Sequence, residues 1–173
     1  MKSRLLALIA TVSALALYRV FPHPANFTPV MAVALFAGAK SDDIRVAFLL
    51  PLMAMLLSDL VLGFHSTMPF VYAGMALVVT LGLLLRRRPG FIPVAGATLA
   101  GSLGFFAVTN FGAWLHSPEL YSRNWSGLVA AYVAAIPFYQ NSLLADAVFA
   151  VLLFGGWALA ERTTPKMVRP RTL

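Results

Sequence analysis

Two carboxylic acids interrupt stretches of this chain that are otherwise apolar. Asp59 lies six residues before His65, near the end of the run Arg45–Phe64, and Asp146 lies about a turn into the run Ser142–Ala160. A charge at the centre of a membrane helix costs about 2.5–3.5 kcal/mol on insertion scales, and less near an interface. An acid at such a place either faces a bundle interior, holding a ligand or a positioning network, or bonds to a neighbouring helix or to water. Arg123, in the polar stretch between two runs, is the expected ionic partner. The three histidines, His23, His65 and His116, are candidate metal ligands by residue type. No two of them are three or four residues apart and the chain has no cysteine, so a closed zinc site is not expected. Each reads as a hydrogen-bonding loop residue, and no metal is expected. No nucleophile stands beside a base, and no carboxylates pair at a known catalytic spacing, so no catalytic residues are assigned and the chain reads as a non-enzyme. Ala37-Gly38-Ala39-Lys40-Ser41 ends like a phosphate loop but lacks its first glycine, and Gly101-Ser102-Leu103-Gly104 is not a nucleophile elbow. The first reads as a helix end, with Ser41, Asp42 and Asp43 capping the next helix, and the second as small residues that allow close packing.

The elements that carry these residues follow from composition. Of 173 residues, 60% are hydrophobic and 11% charged, against about 45–50% and about 25% in soluble domains. That excludes a water-soluble globule, a disordered chain and a nucleic-acid module, and the absence of cysteine excludes a disulfide scaffold. Apolar runs long enough to cross about 30 Å of hydrocarbon need about 20 residues. Candidates are Ser3–Val20, Thr28–Ala39, Arg45–Phe64, Phe70–Leu85, Ile92–Leu115 and Ser142–Ala160. Thr28–Ala39 is short, and crosses only if its neighbours shield it. Residues 116–141 read as an outer loop with an interfacial segment, Trp125–Phe138. The expected architecture is an all-α, six-helix membrane bundle, one domain over residues 1–173. With the N-terminus in the cytoplasm, Lys2, Arg4, Lys40, Arg45, Arg86, Arg87, Arg88, Arg162, Lys166, Arg169 and Arg171 fall inside, and only Arg19 and Arg123 outside. This is the positive-inside pattern, and it places both termini in the cytoplasm of a bacterial inner membrane. Met1–Ala16 also fits a cleavable signal peptide. Ala10 and Ala14, four apart, form a small-residue face for a partner helix.

In this topology the outer side collects the polar chemistry: the three histidines, Asn26, Asn110, Tyr121, Arg123, Asn124, Tyr139, Gln140 and Asn141. Such asymmetry predicts a polar cavity that opens outward. The stretch Phe21–Pro29 has three prolines in nine residues, which makes it stiff and extended and delivers His23 and Asn26 to a fixed place. Aromatic rings cluster around 114–139 as interface anchors or as a lid over a ligand. The expected ligand contacts are His23, Asn26, Asp59, His65, Tyr72, Asn110, Trp114, Arg123, Tyr139, Asn141 and Asp146.

Pro22-His23-Pro24-Ala25-Asn26-Phe27-Thr28-Pro29-Val30, Ser58-Asp59-Leu60 with Gly63-Phe64-His65, Asn110-Phe111-Gly112-Ala113-Trp114 and Ala134-Ala135-Ile136-Pro137-Phe138-Tyr139 resemble a family of small bacterial membrane proteins. That family is in turn similar to the S components of energy-coupling factor transporters. The resemblance covers about residues 4–160. It implies a six-helix subunit that binds a vitamin near the outer surface, under closing loops, and topples to release it. It implies no intrinsic cofactor. The implied partners are the lipid membrane, a coupling subunit that meets Ala10 and Ala14, and two ATPases, although cobalamin-type members are solitary. Nucleic acid is not a partner. The resemblance is nearest to the cobalamin type, where a cysteine contacts cobalt; here His65 replaces it, or cobalt has no protein ligand, or the substrate differs. An accessory subunit of a larger membrane complex is the alternative.

Overall fold

A computed structural model describes residues 2–87 and 90–163. Every regular element among them is helical: α1 Lys2–Tyr18, α2 Val30–Lys40, α3 Ile44–Leu62, α4 Met68–Leu85, α5 Phe91–His116, α6 Trp125–Ala150, a π-helical stretch Val151–Gly155, and α7 Gly156–Thr163. Among the described residues four helical segments are long and apolar enough to cross a membrane: Ile44–Leu62, Met68–Leu85, Phe91–His116 and the continuous run Trp125–Arg162. This is the signature of a multi-pass membrane protein.

One expectation changes here. The interfacial segment and the last span are one helical run, because Pro137 removes only one backbone donor and the ladder resumes on either side of it. Of the six expected spans, four have full crossing length among the described residues. α1 has 17 residues and α2 has 11, and at 1.5 Å per residue α2 is only about 17 Å long. Its shielding is nearly complete, with Met31 through Gly38 all buried. α2 is the central post of the bundle, touching α1, α3, α4, α5, α6 and the π-helical stretch.

Close approach at α2 depends on missing side chains. A Cβ on Gly38 would strike the Val79 carbonyl oxygen, and one on Gly82 would strike that of Leu35. The α2 and α4 backbones therefore meet directly, which suits membrane packing, where dispersion replaces the hydrophobic effect. On the other flank, Leu8 and Val12 of α1, Ala32, Val33 and Phe36 of α2, and Ala145, Phe149, Ala150 and Leu153 form one apolar core. The π-helical stretch offsets the faces after Ala150, so that Phe154 and Trp157 both reach Phe36, at 5.3 and 5.4 Å between ring centroids.

Cations mark one end of the bundle. There Arg86 Nε donates to the Gly38 carbonyl at 2.8 Å, and Lys40 lies 3.9 Å from Glu161 and 5.8 Å from the Trp157 ring centroid. Asp43 caps α3 by accepting from the Arg45 amide at 2.7 Å. Ser41, expected to help cap α3, instead closes α2. Arg88, Lys166, Arg169 and Arg171 lie outside the described residues.

Candidate functional site

The end away from these cations holds a cavity of about 560 Å³, lined by the loop between α1 and α2 and by α2 through α6. Its origin is the shortness of α2. Val30 and Met31, in the first turn of α2, line it, and above them the chain runs as the Phe21–Pro29 loop instead of as helix. The space that a full-length helix would fill stays open. α2 starts without a side-chain cap, so the orphan N–H groups and positive dipole end of its first turn lie at this wall.

The loop is held by specific contacts. Tyr18 stacks on His23 at 5.6 Å, and Tyr18 and Phe27 pack on Phe149 at 5.5 and 5.9 Å. Asn26 sits at φ 58°, a conformation that asparagine tolerates better than most residues. Asn141 Nδ2 donates to the Ala25 carbonyl at 3.0 Å and ties the loop to α6.

Of the expected contacts, the fold brings His23, Asn26, Asn110, Tyr139 and Asp146 together as cavity lining. Asp59 and Tyr72 are one layer behind. Asp59 is fully buried; Arg19 Nη1 donates to its Oδ1 at 2.5 Å and Tyr72 Oη donates to its Oδ2 at 2.8 Å. The same Arg19 nitrogen donates to Ser58 Oγ at 2.6 Å, and that hydroxyl donates to the Met55 carbonyl at 2.8 Å. Arg19, itself a lining residue, thus connects this buried cluster to the cavity. The expected ionic partner of the acids, Arg123, is elsewhere: it donates to the Leu115 carbonyl and lies over the Trp114 ring. The reason is which helices pack together, since α1 lies against α3. Arg19 follows α1 directly and reaches Ser58 and Asp59 on α3, whereas Arg123 belongs to the α5–α6 turn.

His65, Trp114 and Asn141 do not line the cavity. Exposed His65 shares a 2.8 Å hydrogen bond with Thr67 Oγ1, and Trp114 Nε1 donates to the Ser122 carbonyl at 3.0 Å. His116 Nδ1 donates to the Gly112 carbonyl at 3.1 Å. No group of three or more metal-ligating side chains gathers among the described residues. Ala10 and Ala14 are exposed.

Sequence reasoning missed Arg19, Thr28, Ser102, Thr109 and Ser142, and the aromatic walls Phe105, Phe106 and Phe138. Arg19 had a visible signal, as one of only two cations at the sparse end. Two of the lining groups are incomplete. Asp146 is 2% exposed and Ser102 3%. The two side chains are neighbours, yet Asp146 Oδ2 and Ser102 Oγ have no hydrogen-bond partner. A buried polar atom without a partner costs about 1–3 kcal/mol, more when charged.

The fold and cavity define a multi-pass helical membrane protein with a small-molecule-sized void at one end. Residues 1–167 match the family of unknown function DUF6580, and the chain belongs to that family. No curated protein and no solved structure matches it.

Proposed function

We propose that this protein is a substrate-binding membrane subunit for uptake of a vitamin-like small molecule, with the cavity as its binding site. The observation that carries the reading is the unpartnered pair Asp146 and Ser102 on the wall of an open 560 Å³ void. Small-molecule sites typically measure about 300–1,000 Å³, with apolar walls and a few convergent polar groups, and this cavity has both. Its volume favours a single heterocycle over a whole corrinoid, so cobalamin becomes the less favoured vitamin. The cation-rich end faces the cytoplasm in this reading, which makes the cavity periplasmic in a bacterial inner membrane. α1 and the shielded α2 then complete six crossings, as in the S-component-like architecture. An energy-coupling subunit with its ATPases docks on the Ala10 and Ala14 face, or the protein works alone.

Purified protein, screened by thermal shift against a vitamin panel that includes cobalamin and by mass spectrometry for co-purified molecules, tests the proposal. At least one small heterocycle is expected to stabilise the protein. No shift across the panel together with no retained molecule contradicts it. A second reading, an accessory subunit of a larger complex, draws on the Asp59 cluster, which cross-links α1, α3 and α4. That reading predicts co-purifying membrane proteins and no small-molecule response.

A further inference from the structure

The chemistry of the cavity wall narrows the ligand class, on the reading that the cavity is a substrate site. Asp146 is an acid in a candidate membrane-crossing run and almost fully buried. Such acids persist where they face a cavity and a partner. Every nearby cation is committed elsewhere. The Arg19 guanidinium bonds Asp59 and Ser58. His23 Nδ1 donates to the Pro24 carbonyl at 2.9 Å while its ring stacks on Tyr18. No Lys, Arg or His among the described residues forms an ion pair with Asp146. Beside it the Ser102 hydroxyl is placed to turn its proton toward the carboxylate, which leaves its own lone pairs open to a donor from a ligand. The flanking walls are aromatic: Phe106 and Tyr139 lie 4.6 Å apart, with Phe105 and Phe138 also lining the void. A carboxylate with no cationic partner, beside a hydroxyl and walled by π-faces, is complementary to a flat cationic nitrogen group.

We infer that the ligand presents a cationic planar nitrogen group with N–H donors, of the amidine or guanidine class, to Asp146 and Ser102, with its ring against the aromatic wall. The amide analogue of such a ligand lacks the charge. It leaves the carboxylate without a counter-ion and is therefore rejected.

The test uses full-length protein in nanodiscs and two probes of nearly equal shape, benzamidinium and benzamide, with affinity read by ligand-observed NMR and by thermal shift. Wild type is expected to bind benzamidinium at least about tenfold more tightly than benzamide. Asp146→Asn is expected to bring that ratio close to one while keeping a folded, monodisperse protein, since it removes an unpaired charge without changing shape. Ser102→Ala is expected to lower the ratio to an intermediate value. Equal binding of both probes to wild type, or an unchanged preference in Asp146→Asn, overturns the inference while leaving the cavity a small-molecule site. Binding of neither probe overturns the inference; if the vitamin panel is also silent, the uptake reading fails with it. Should Asp146→Asn not fold, the Ser102→Ala ratio decides alone.

Discussion

The Arg19–Asp59 pair makes an asymmetric prediction. Asp59 is fully buried, while the Arg19 side chain keeps 16% of its surface exposed at the cavity. Removing one partner of a buried ion pair costs about 3–5 kcal/mol, because the other is left charged in a poor solvent. Arg19→Gln does this to Asp59, which has nowhere to go and retains only the Tyr72 hydroxyl. Asp59→Asn leaves the guanidinium free to turn into the open cavity, so its cost falls to that of a charge-assisted hydrogen bond, about 1.5–3 kcal/mol. In a chain of this size each kcal/mol moves the midpoint by about 2–4 °C. Arg19→Gln should therefore lower the melting temperature by roughly 6–20 °C, and Asp59→Asn by clearly less. The double variant Arg19→Gln/Asp59→Asn should melt above Arg19→Gln alone, since it removes the stranded charge. Scanning fluorimetry of detergent-purified protein, read on its own tryptophans, measures all three. Asp59→Asn melting below Arg19→Gln, or a double variant whose losses simply add, would refute the assignment of Asp59 as the buried and Arg19 as the rescuable partner.

Further consequences follow from the same geometry. Gly82→Val drives a side chain into the α2 backbone, beyond the usual overpacking cost of about 1–3 kcal/mol, and should give no monodisperse peak on size exclusion. Asn141→Ala releases the Ala25 carbonyl and should cost about 0.5–1.5 kcal/mol, visible as faster amide exchange across residues 21–29 and little change elsewhere. His65→Ala and Arg123→Ala, both outside the cavity, should leave benzamidinium affinity unchanged; a loss in either would move the site toward the outer loops. The native chain has no cysteine, so Ser117→Cys and Asp42→Cys report orientation cleanly: an impermeant maleimide should label the first in intact cells and the second only after lysis.

Much of the architecture was legible because membrane solvent imposes simple rules. Long apolar runs became helices, cations gathered at one end, and at the other end His23, Asn26, Asn110 and Tyr139 line a void. The short run at Thr28–Ala39 flagged its own need for shielding, and α2 is indeed the most enclosed helix. What composition does not encode is who reaches whom. Pairing Asp59 with Arg123 matched charges but ignored where the chain turns, and Arg19 sits on the adjacent element. His65 and Trp114 have the right chemistry yet satisfy themselves locally, through Thr67 and Ser122. Ser102, Thr109 and the phenylalanines were invisible as site residues because hydroxyls and rings are ordinary on membrane helices; only the gap above α2 gives them a face to line. Pro137 marked a break by residue type, but a single missing donor did not end α6.

Native mass spectrometry of protein released gently from its own membrane tests the binding claim most directly, comparing wild type with Ala113→Trp, which puts a large ring into the cavity wall. Wild type should carry a small-molecule adduct that dissociates on activation, and Ala113→Trp, equally folded, should lack it. An empty wild-type protein that also takes up no added heterocycle, or an adduct unaffected by the filled cavity, would contradict the account.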